Sequence, residues 1–262
     1  MKKIISLLLV VICVFTLVAC SDTSTDQPNA DLQNTILLAA AASLKNCMED
    51  EIIPLFEEKN SNVKVEATYD SSGKLQTQIE EGADVDVFMS AAMKQMNALN
   101  EKSLIKDNSI VELLENKIVL IVPKDSEKEI KSFEEILNAD TIAVGDPESV
   151  PAGQYAKEVF ESLKIWNDVL AKSSLGTNVT EVLNWIAEGS ADAGVVYSTD
   201  AASNENVQVV SEAPQGSVSK IIYPVGIVNT TTKEDSARLF VEFLRSQEVI
   251  SIFEKYGFSV NK

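Results

Sequence analysis

The chain has 262 residues, 45% of them hydrophobic, which is enough for two modest buried cores or one large one. Its 22 lysines and arginines stand against 40 aspartates and glutamates, and the formal net charge is −18. This balance excludes nucleic acid as an expected partner, because binding a phosphate backbone needs clustered basic residues. The sequence also lacks histidine, the usual base that activates a serine nucleophile.

The first 20 residues, MKKIISLLLVVICVFTLVAC, are typical of a secretion leader, with two lysines, a short apolar run and small residues before Cys20. The ending LVAC resembles the lipobox of bacterial lipoproteins, in which the cysteine becomes the lipidated first residue after cleavage. We expect a lipoprotein signal peptide over residues 1–19 and a polar, lipid-anchored tether over residues 20–34. The protein would then lie outside the cytoplasm, anchored to the cell membrane by Cys20. An uncleaved membrane helix is the alternative.

Beyond residue 34, patterns of strands and helices alternate. The strand patterns cover residues 35–41, 63–69, 85–90, 116–124, 141–145, 193–198, 207–210 and 218–228. The helical patterns cover about 44–56, 73–81, 92–102, 179–188, 233–245 and 247–256, with a further helix inside 145–160. Cys47 lies on the apolar face of the first helix and is expected to pack in a core. This alternation predicts an α/β protein with mostly parallel sheets and helices on both faces.

Small or hydroxyl residues lie at four predicted junctions where a strand ends and a helix begins. In open α/β sheets, ligands bind at such junctions, where helix N-termini present free N–H groups. Tyr197 ends a further strand and is either a ligand or a core aromatic residue. Each junction taken alone is also explained by ordinary helix capping. The four junctions are AAAS ending at Ser43, YDSSG at 69–73, VPAG at 150–153 and GTNV at 176–179.

The four helix starts together predict an anion site. Each helix N-terminus carries roughly half a positive charge, so four converging ones supply about two, which suits a dianion. A cationic side chain is not required. Arg238 and Arg245 lie near the end of the chain, and Lys45 and Lys74 are expected to be solvated helix residues.

Six motifs resemble the periplasmic molybdate-binding proteins of ABC transporters, in order from about residue 35 to the end. The resemblance implies a two-lobed type II periplasmic binding protein fold, in which each lobe is a mostly parallel sheet flanked by helices and the ligand lies in the interlobe cleft. It implies a first lobe built from residues 35–117 and 229–262 and a second lobe built from residues 118–228. The motifs are AAASLKNCM, YDSSGKLQTQIEEGADVDVFMSA, GDPESVPAGQYAKE, GVVYSTDA, YPVGIV and KYGF.

The resemblance also implies how the ligand is bound. Molybdate, and also tungstate, would bind as a bare tetrahedral dianion, with no cofactor and no other metal. A monomeric protein would deliver it to an ABC permease and perform no catalysis. The oxyanion ligands implied are the hydroxyl and N–H of Ser43 and Ser72, the backbone N–H of Ala152 and Val179, and the hydroxyl of Tyr197.

Two positions depart from the family pattern. Gly73 stands where many relatives carry serine or threonine, so backbone chemistry is expected there. Asp70 is close to the site, and a carboxylate facing a dianion is costly unless it points away.

Two alternatives remain open. In the first, this protein has the same fold but binds another anion, namely sulfate, phosphate or an organic acid, because fold does not fix the ligand. A serine hydrolase using Ser43 or Ser72 is a second alternative, which needs a lysine as the base. Lys45 and Lys74 each follow a serine by two residues, a spacing that does not place two side chains on one helix face.

Overall fold

The structure, a computed structural model, describes residues 34–261. The predicted signal peptide, Cys20 and the tether up to residue 33 lie outside this range. Within residues 34–261, none of the helices has the length and apolarity that crossing a bilayer requires.

Strands in the described part of the chain form two sheets. The first sheet has the order β11-β4-β10-β3-β1-β2 and the second has the order β7-β6-β8-β5-β9, with labels in chain order. We call the first sheet with its helices the first lobe, and the second sheet with its helices the second lobe. The strands are β1 (Thr35–Ala41), β2 (Lys64–Asp70), β3 (Val87–Met89), β4 (Val111–Glu115), β5 (Ile118–Pro123), β6 (Ile142–Gly145), β7 (Ser173–Gly176), β8 (Ala193–Tyr197), β9 (Val207–Glu212), β10 (Ile222–Ile227) and β11 (Ser259–Val260).

Helices connect most of the strands. The first of them, α1, changes its winding along its length, from a 3-10 turn (Ala42–Leu44) through an α-helical turn (Lys45–Cys47) and a π-helical stretch (Met48–Ile52) to a final α-helix (Ile53–Lys59). A separate 3-10 turn covers Glu134–Asn138. The other helices are α2 (Ser72–Glu80), α3 (Met93–Glu101), α4 (Pro151–Ser162), α5 (Trp166–Ala171), α6 (Val179–Ala187), α7 (Ser198–Ala202), α8 (Glu234–Leu244) and α9 (Gln247–Lys255).

Both sheets are mixed, and most strands of each sheet point in the same direction, as the prediction of mostly parallel sheets implies. Strand β1 runs parallel to β2 and β3, and β6 runs parallel to β7 and β8. In contrast, β10 is antiparallel to β3 and β4, and β5 is antiparallel to β8 and β9. Parallel neighbours need a crossover connection, usually a helix. Strands β5 and β10 each follow, in the chain, a strand of the other sheet. No crossover helix within one sheet therefore sets their direction.

The chain passes between the sheets twice. The first passage lies between Glu115 and Ile118, next to the division expected between residues 117 and 118. The second lies between Glu212 and Ile222. The sequence analysis assigned residues up to 228 to the second lobe, but β10 pairs in the first sheet, so that boundary must move before Ile222. A uniformly apolar strand carries no signal that tells which sheet it joins.

Cys47 is a core residue. It is 1% exposed, and its thiol donates a hydrogen bond to the carbonyl oxygen of Leu44 at 3.1 Å. Burial raises the pKa of the Cys47 thiol to about 12, so the reactive thiolate is absent at neutral pH. The interpretation of Cys47 as a packing residue is confirmed.

Candidate functional site

One small cavity is lined by all five predicted ligand residues, Ser43, Ser72, Ala152, Val179 and Tyr197. Ser43 and Ser72 follow the strands β1 and β2 of the first lobe. The other three come from the second lobe, in the first turns of α4 and α6 and at the end of β8. The cavity therefore lies between the lobes, where strand ends lead into helix starts.

The cavity has the size of a very small ligand. The centre of a water molecule has ≈ 10 Å³ in which to move. By this measure the space holds about one water molecule. The cavity is therefore compact, and its lining comes from both lobes.

Larger grooves lie elsewhere on the surface. One of ≈ 640 Å³ contains Lys45 and Glu188, and another of ≈ 850 Å³ contains Arg245 and Glu254. Neither is lined by Ser72, Ala152 or Tyr197. We take the small cavity as the site, because all five residues that the sequence singled out as ligands meet there.

Ser72 and Tyr197 are both buried and both contact the backbone of Ala91. The Ser72 hydroxyl oxygen accepts a hydrogen bond from the Ala91 N–H at 3.0 Å, which leaves its own proton for another partner. The Tyr197 hydroxyl donates to the Ala91 carbonyl oxygen at 3.4 Å, a long and therefore weak bond. Burial raises the pKa of the Tyr197 phenol well above its usual value, so the group keeps its proton and remains a donor.

Ser43 is held by a residue that the sequence analysis did not single out. Its hydroxyl oxygen lies 2.9 Å from the hydroxyl oxygen of Tyr223, and the side-chain amide of Asn116 donates to the same phenol oxygen at 3.3 Å. Burial raises the pKa of Tyr223, which therefore keeps its proton. When Tyr223 accepts from Asn116 and donates to Ser43, the Ser43 proton is free to donate into the cavity.

The helix starts at Ala152 and Val179 present backbone N–H groups. Helix α4 begins with Pro151 and has no side-chain cap, so its first-turn N–H groups lack an intrahelical partner. A Cβ atom on Gly153 would collide with the carbonyl oxygen of Gly145, so glycine lets this turn approach the strand end closely. The first turn of α6 differs, because the Asn178 side chain accepts from the Glu181 N–H at 3.0 Å. That cap does not use the N–H of Val179.

Asp70 also lines the cavity, and one of its carboxylate oxygens is engaged locally. Oδ1 accepts from the Ser71 N–H at 2.7 Å and lies 3.3 Å from the Lys74 ammonium group. Lys74, expected to be only solvated, therefore partly neutralises this carboxylate. Gly73 contributes its backbone, as expected, because its N–H donates to the Ser149 carbonyl oxygen at 2.9 Å.

The sequence matches the bacterial extracellular solute-binding protein family over residues 36–259. It is 38% identical over 259 residues to YvgL of Bacillus subtilis (strain 168), which is provisionally named an ABC transporter substrate-binding lipoprotein, and the match covers 99% of both chains. It is 35% identical over 234 residues to the molybdate-binding protein ModA of Escherichia coli (strain K12), covering 87% of this chain and 90% of that protein.

A solved structure has a similar fold. The substrate-binding domain of a provisionally assigned molybdenum ABC transporter from Clostridium difficile is 37% identical and superimposes with a TM-score of 0.67, covering 87% of this chain and 99% of that one. This likeness confirms the two-lobed periplasmic binding protein fold, in which each sheet also includes antiparallel strands. On the extent of these matches, the chain belongs to the bacterial extracellular solute-binding protein family.

Proposed function

We propose that this protein captures molybdate, and also tungstate, outside the cytoplasm and delivers it to an ABC permease. The observation that carries the proposal is a small cavity lined by hydroxyl and backbone N–H donors from both lobes. We further propose that Cys20 anchors the protein to the membrane as a lipid-modified residue, and that it acts as a monomer.

The chemistry of the cavity lining suits a bare dianion. Hydroxyl and backbone N–H groups donate hydrogen bonds, and neither lysine nor arginine of residues 34–261 lines the cavity. Hydrogen bonds to a charged partner contribute about 1.5–3 kcal/mol each, so half a dozen offset an association cost of several kcal/mol. The distant acidic residues oppose binding only weakly, because exposed charges are screened beyond about 8 Å at physiological salt.

The names of the relatives support the ligand assignment. The Escherichia coli relative is named for molybdate, and the Clostridium difficile structure is named for a molybdenum transporter. The name of the Bacillus subtilis relative includes the word lipoprotein, which supports the assignment of Cys20.

The serine contacts argue against hydrolysis. The Ser72 hydroxyl oxygen accepts from a backbone amide, and the Ser43 hydroxyl contacts a phenol. Neither contact provides the base that a serine nucleophile needs.

Hydrogen phosphate is the second candidate, on one specific observation. Its proton needs an acceptor, and the carboxylate of Asp70 lines the cavity. Both hydrogen bonds that Asp70 accepts among the described residues go to Oδ1, so Oδ2 is the acceptor that a protonated ligand would use.

Isothermal titration of the detergent-solubilised full-length protein with molybdate, tungstate, sulfate and phosphate separates these candidates. We expect molybdate and tungstate to bind at least about 100-fold more tightly than the other two, a difference of about 2.7 kcal/mol. Phosphate binding as tight as molybdate binding would favour the second candidate, and no binding of any of the four would contradict the proposal.

A further inference from the structure

Ser71 is a buried serine whose hydroxyl group has no hydrogen-bond partner among residues 34–261. It lies next to the predicted ligand Ser72 and is 3% exposed. Buried hydroxyl groups in folded proteins are nearly always hydrogen-bonded, so one without a partner requires an explanation.

The position of Ser71 in the fold makes the missing bond unusual. It is the N-cap residue of α2, a place where a serine side chain normally accepts a hydrogen bond from the first turn of the helix. No such bond forms here. Neighbouring backbone groups are satisfied in other ways, since the Ser71 N–H donates to Asp70 and the Gly73 N–H donates to Ser149. The hydroxyl group is therefore not needed for the local structure of the helix start.

Ser71 lines the same cavity as the predicted ligand residues. We propose that the Ser71 hydroxyl group is a further ligand of the bound oxyanion, donating a hydrogen bond to one of its oxygens; this inference rests on the proposed function. An oxyanion oxygen is the partner that the hydroxyl group lacks. The start of α2 then contributes two adjacent hydroxyl groups, from Ser71 and Ser72, and the anion has one more donor than the family resemblance implies.

The hydroxyl groups of Ser71 and Ser72 differ in the hydrogen bonds that they already make. Ser72 accepts from Ala91 and has only its proton to give. Ser71 has no such restraint, so its hydroxyl group can turn to whichever oxygen atom of the ligand is nearest. Ser71 therefore contributes to ligand affinity but not to the stability of the fold. These two contributions can be measured separately.

Calorimetric titration of full-length Ser71→Ala with molybdate, beside a thermal melt of the unliganded protein, tests this inference. We expect affinity to fall about 10- to 100-fold, the range for losing one hydrogen bond to a charged partner, with an unchanged or slightly higher melting temperature. The matched control is Ser109→Ala. Ser109 is also buried, but its hydroxyl group donates to the Lys106 carbonyl oxygen and accepts from the Ile227 N–H. That variant should melt at a lower temperature and bind molybdate as the wild type does.

The outcomes distinguish this inference from the proposed function. Wild-type protein that binds molybdate, together with Ser71→Ala that binds it equally well, would overturn the role of Ser71 and leave the proposed function intact. Wild-type protein that binds no molybdate would overturn both. A weakened Ser71→Ala whose unliganded form melts well below the wild type would assign Ser71 to the fold and also overturn the inference.

Discussion

The backbone N–H of Gly73 donates a hydrogen bond to the carbonyl oxygen of Ser149 at 2.9 Å, and this bond joins the two lobes. Gly73 lies in the first turn of α2, and Ser149 lies in the turn between β6 and α4. A Cβ atom on Gly73 would lie 2.8 Å from the Cα atom of Ser149 and would also collide with its carbonyl oxygen. The side-chain amide of Gln95 reaches Gln154 across the same boundary at 3.2 Å. Glycine is therefore what allows the lobes to approach this closely beside the cavity.

We predict that Gly73→Ala weakens molybdate binding about tenfold or more, because the added methyl group keeps the lobes apart. Overall stability should change by less than about 1 kcal/mol, because the helix preference for alanine over glycine offsets the loss of the contact with Ser149. Calorimetry and thermal melting measure the two effects separately. Gln78→Ala, on an exposed position of the same helix, is the control and should bind normally. If Gly73→Ala bound molybdate with wild-type affinity, the contact between Gly73 and Ser149 would not limit how closely the lobes approach around the ligand.

Asp70→Asn distinguishes a bare dianion from a protonated ligand. If the ligand is molybdate, removing a carboxylate from the cavity wall should leave affinity unchanged or raise it a few-fold at low salt, because a like charge is lost. The Asn side-chain oxygen still accepts from the Ser71 N–H, so the start of α2 should persist. Calorimetry at low and at physiological salt measures this change. A tenfold or larger loss of affinity would instead indicate that Asp70 accepts a proton from the ligand.

Asp200 should make stability depend on pH. It is buried in α7 and accepts a hydrogen bond from the Tyr197 N–H at 3.2 Å, and burial raises its pKa from 3.8 to about 7. The folded state therefore holds this proton more tightly than the unfolded state does. The resulting stabilisation is fully present below about pH 4, is lost progressively as the pH rises towards 7, and stays absent above that.

The variant Asp200→Asn removes this titration and keeps the hydrogen-bond acceptor. At pH 8 it should be more stable than the wild type by a few kcal/mol, and at pH 4 the difference should nearly vanish. Urea denaturation of both proteins between pH 4 and pH 8 measures the difference in their free energies of unfolding. The exposed carboxylates are the same in both proteins, so their contributions largely cancel. The phenols of Tyr197 and Tyr223 stay neutral throughout, because burial raises the pKa of each. A stability difference that is constant with pH would rule out this role for Asp200.

The sequence predicted those elements whose pattern is local. The pattern of residues 35–41 coincides with β1, and the periodic helices α8 and α9 lie where they were expected. Strands β4 and β7 were missed. Strand β4, with the sequence VELLE, does not alternate regularly and pairs with the distant strands β10 and β11, while β7 has only four residues, three of them serine or glycine. Their pairing depends on contacts between segments far apart in the chain, which periodicity does not report.

The same distinction applies to the cavity. Its predicted lining residues were found through motifs that are continuous in sequence. Tyr223 and Ser149 also stand inside motifs but were not singled out, because their contacts are with residues far from them in the chain: Tyr223 lies 180 residues after Ser43, and Ser149 meets Gly73 across the two lobes. Ser71 lies inside the motif that begins YDSSG, but only its missing hydrogen bond distinguishes it from an ordinary N-cap residue.

Cys20→Ser should release the protein from membranes without altering its affinity for molybdate, because the anchor lies outside the described residues that line the cavity. Fractionation of cells that express the full-length chain measures the release, and calorimetry measures the affinity. Cys47→Ser is the matched control. Its thiol is buried in the first lobe, so that variant should stay membrane-bound while losing about 1–3 kcal/mol of stability through a buried polar hydroxyl. A Cys20→Ser protein that stays with the membrane would favour an uncleaved helix over a lipid anchor.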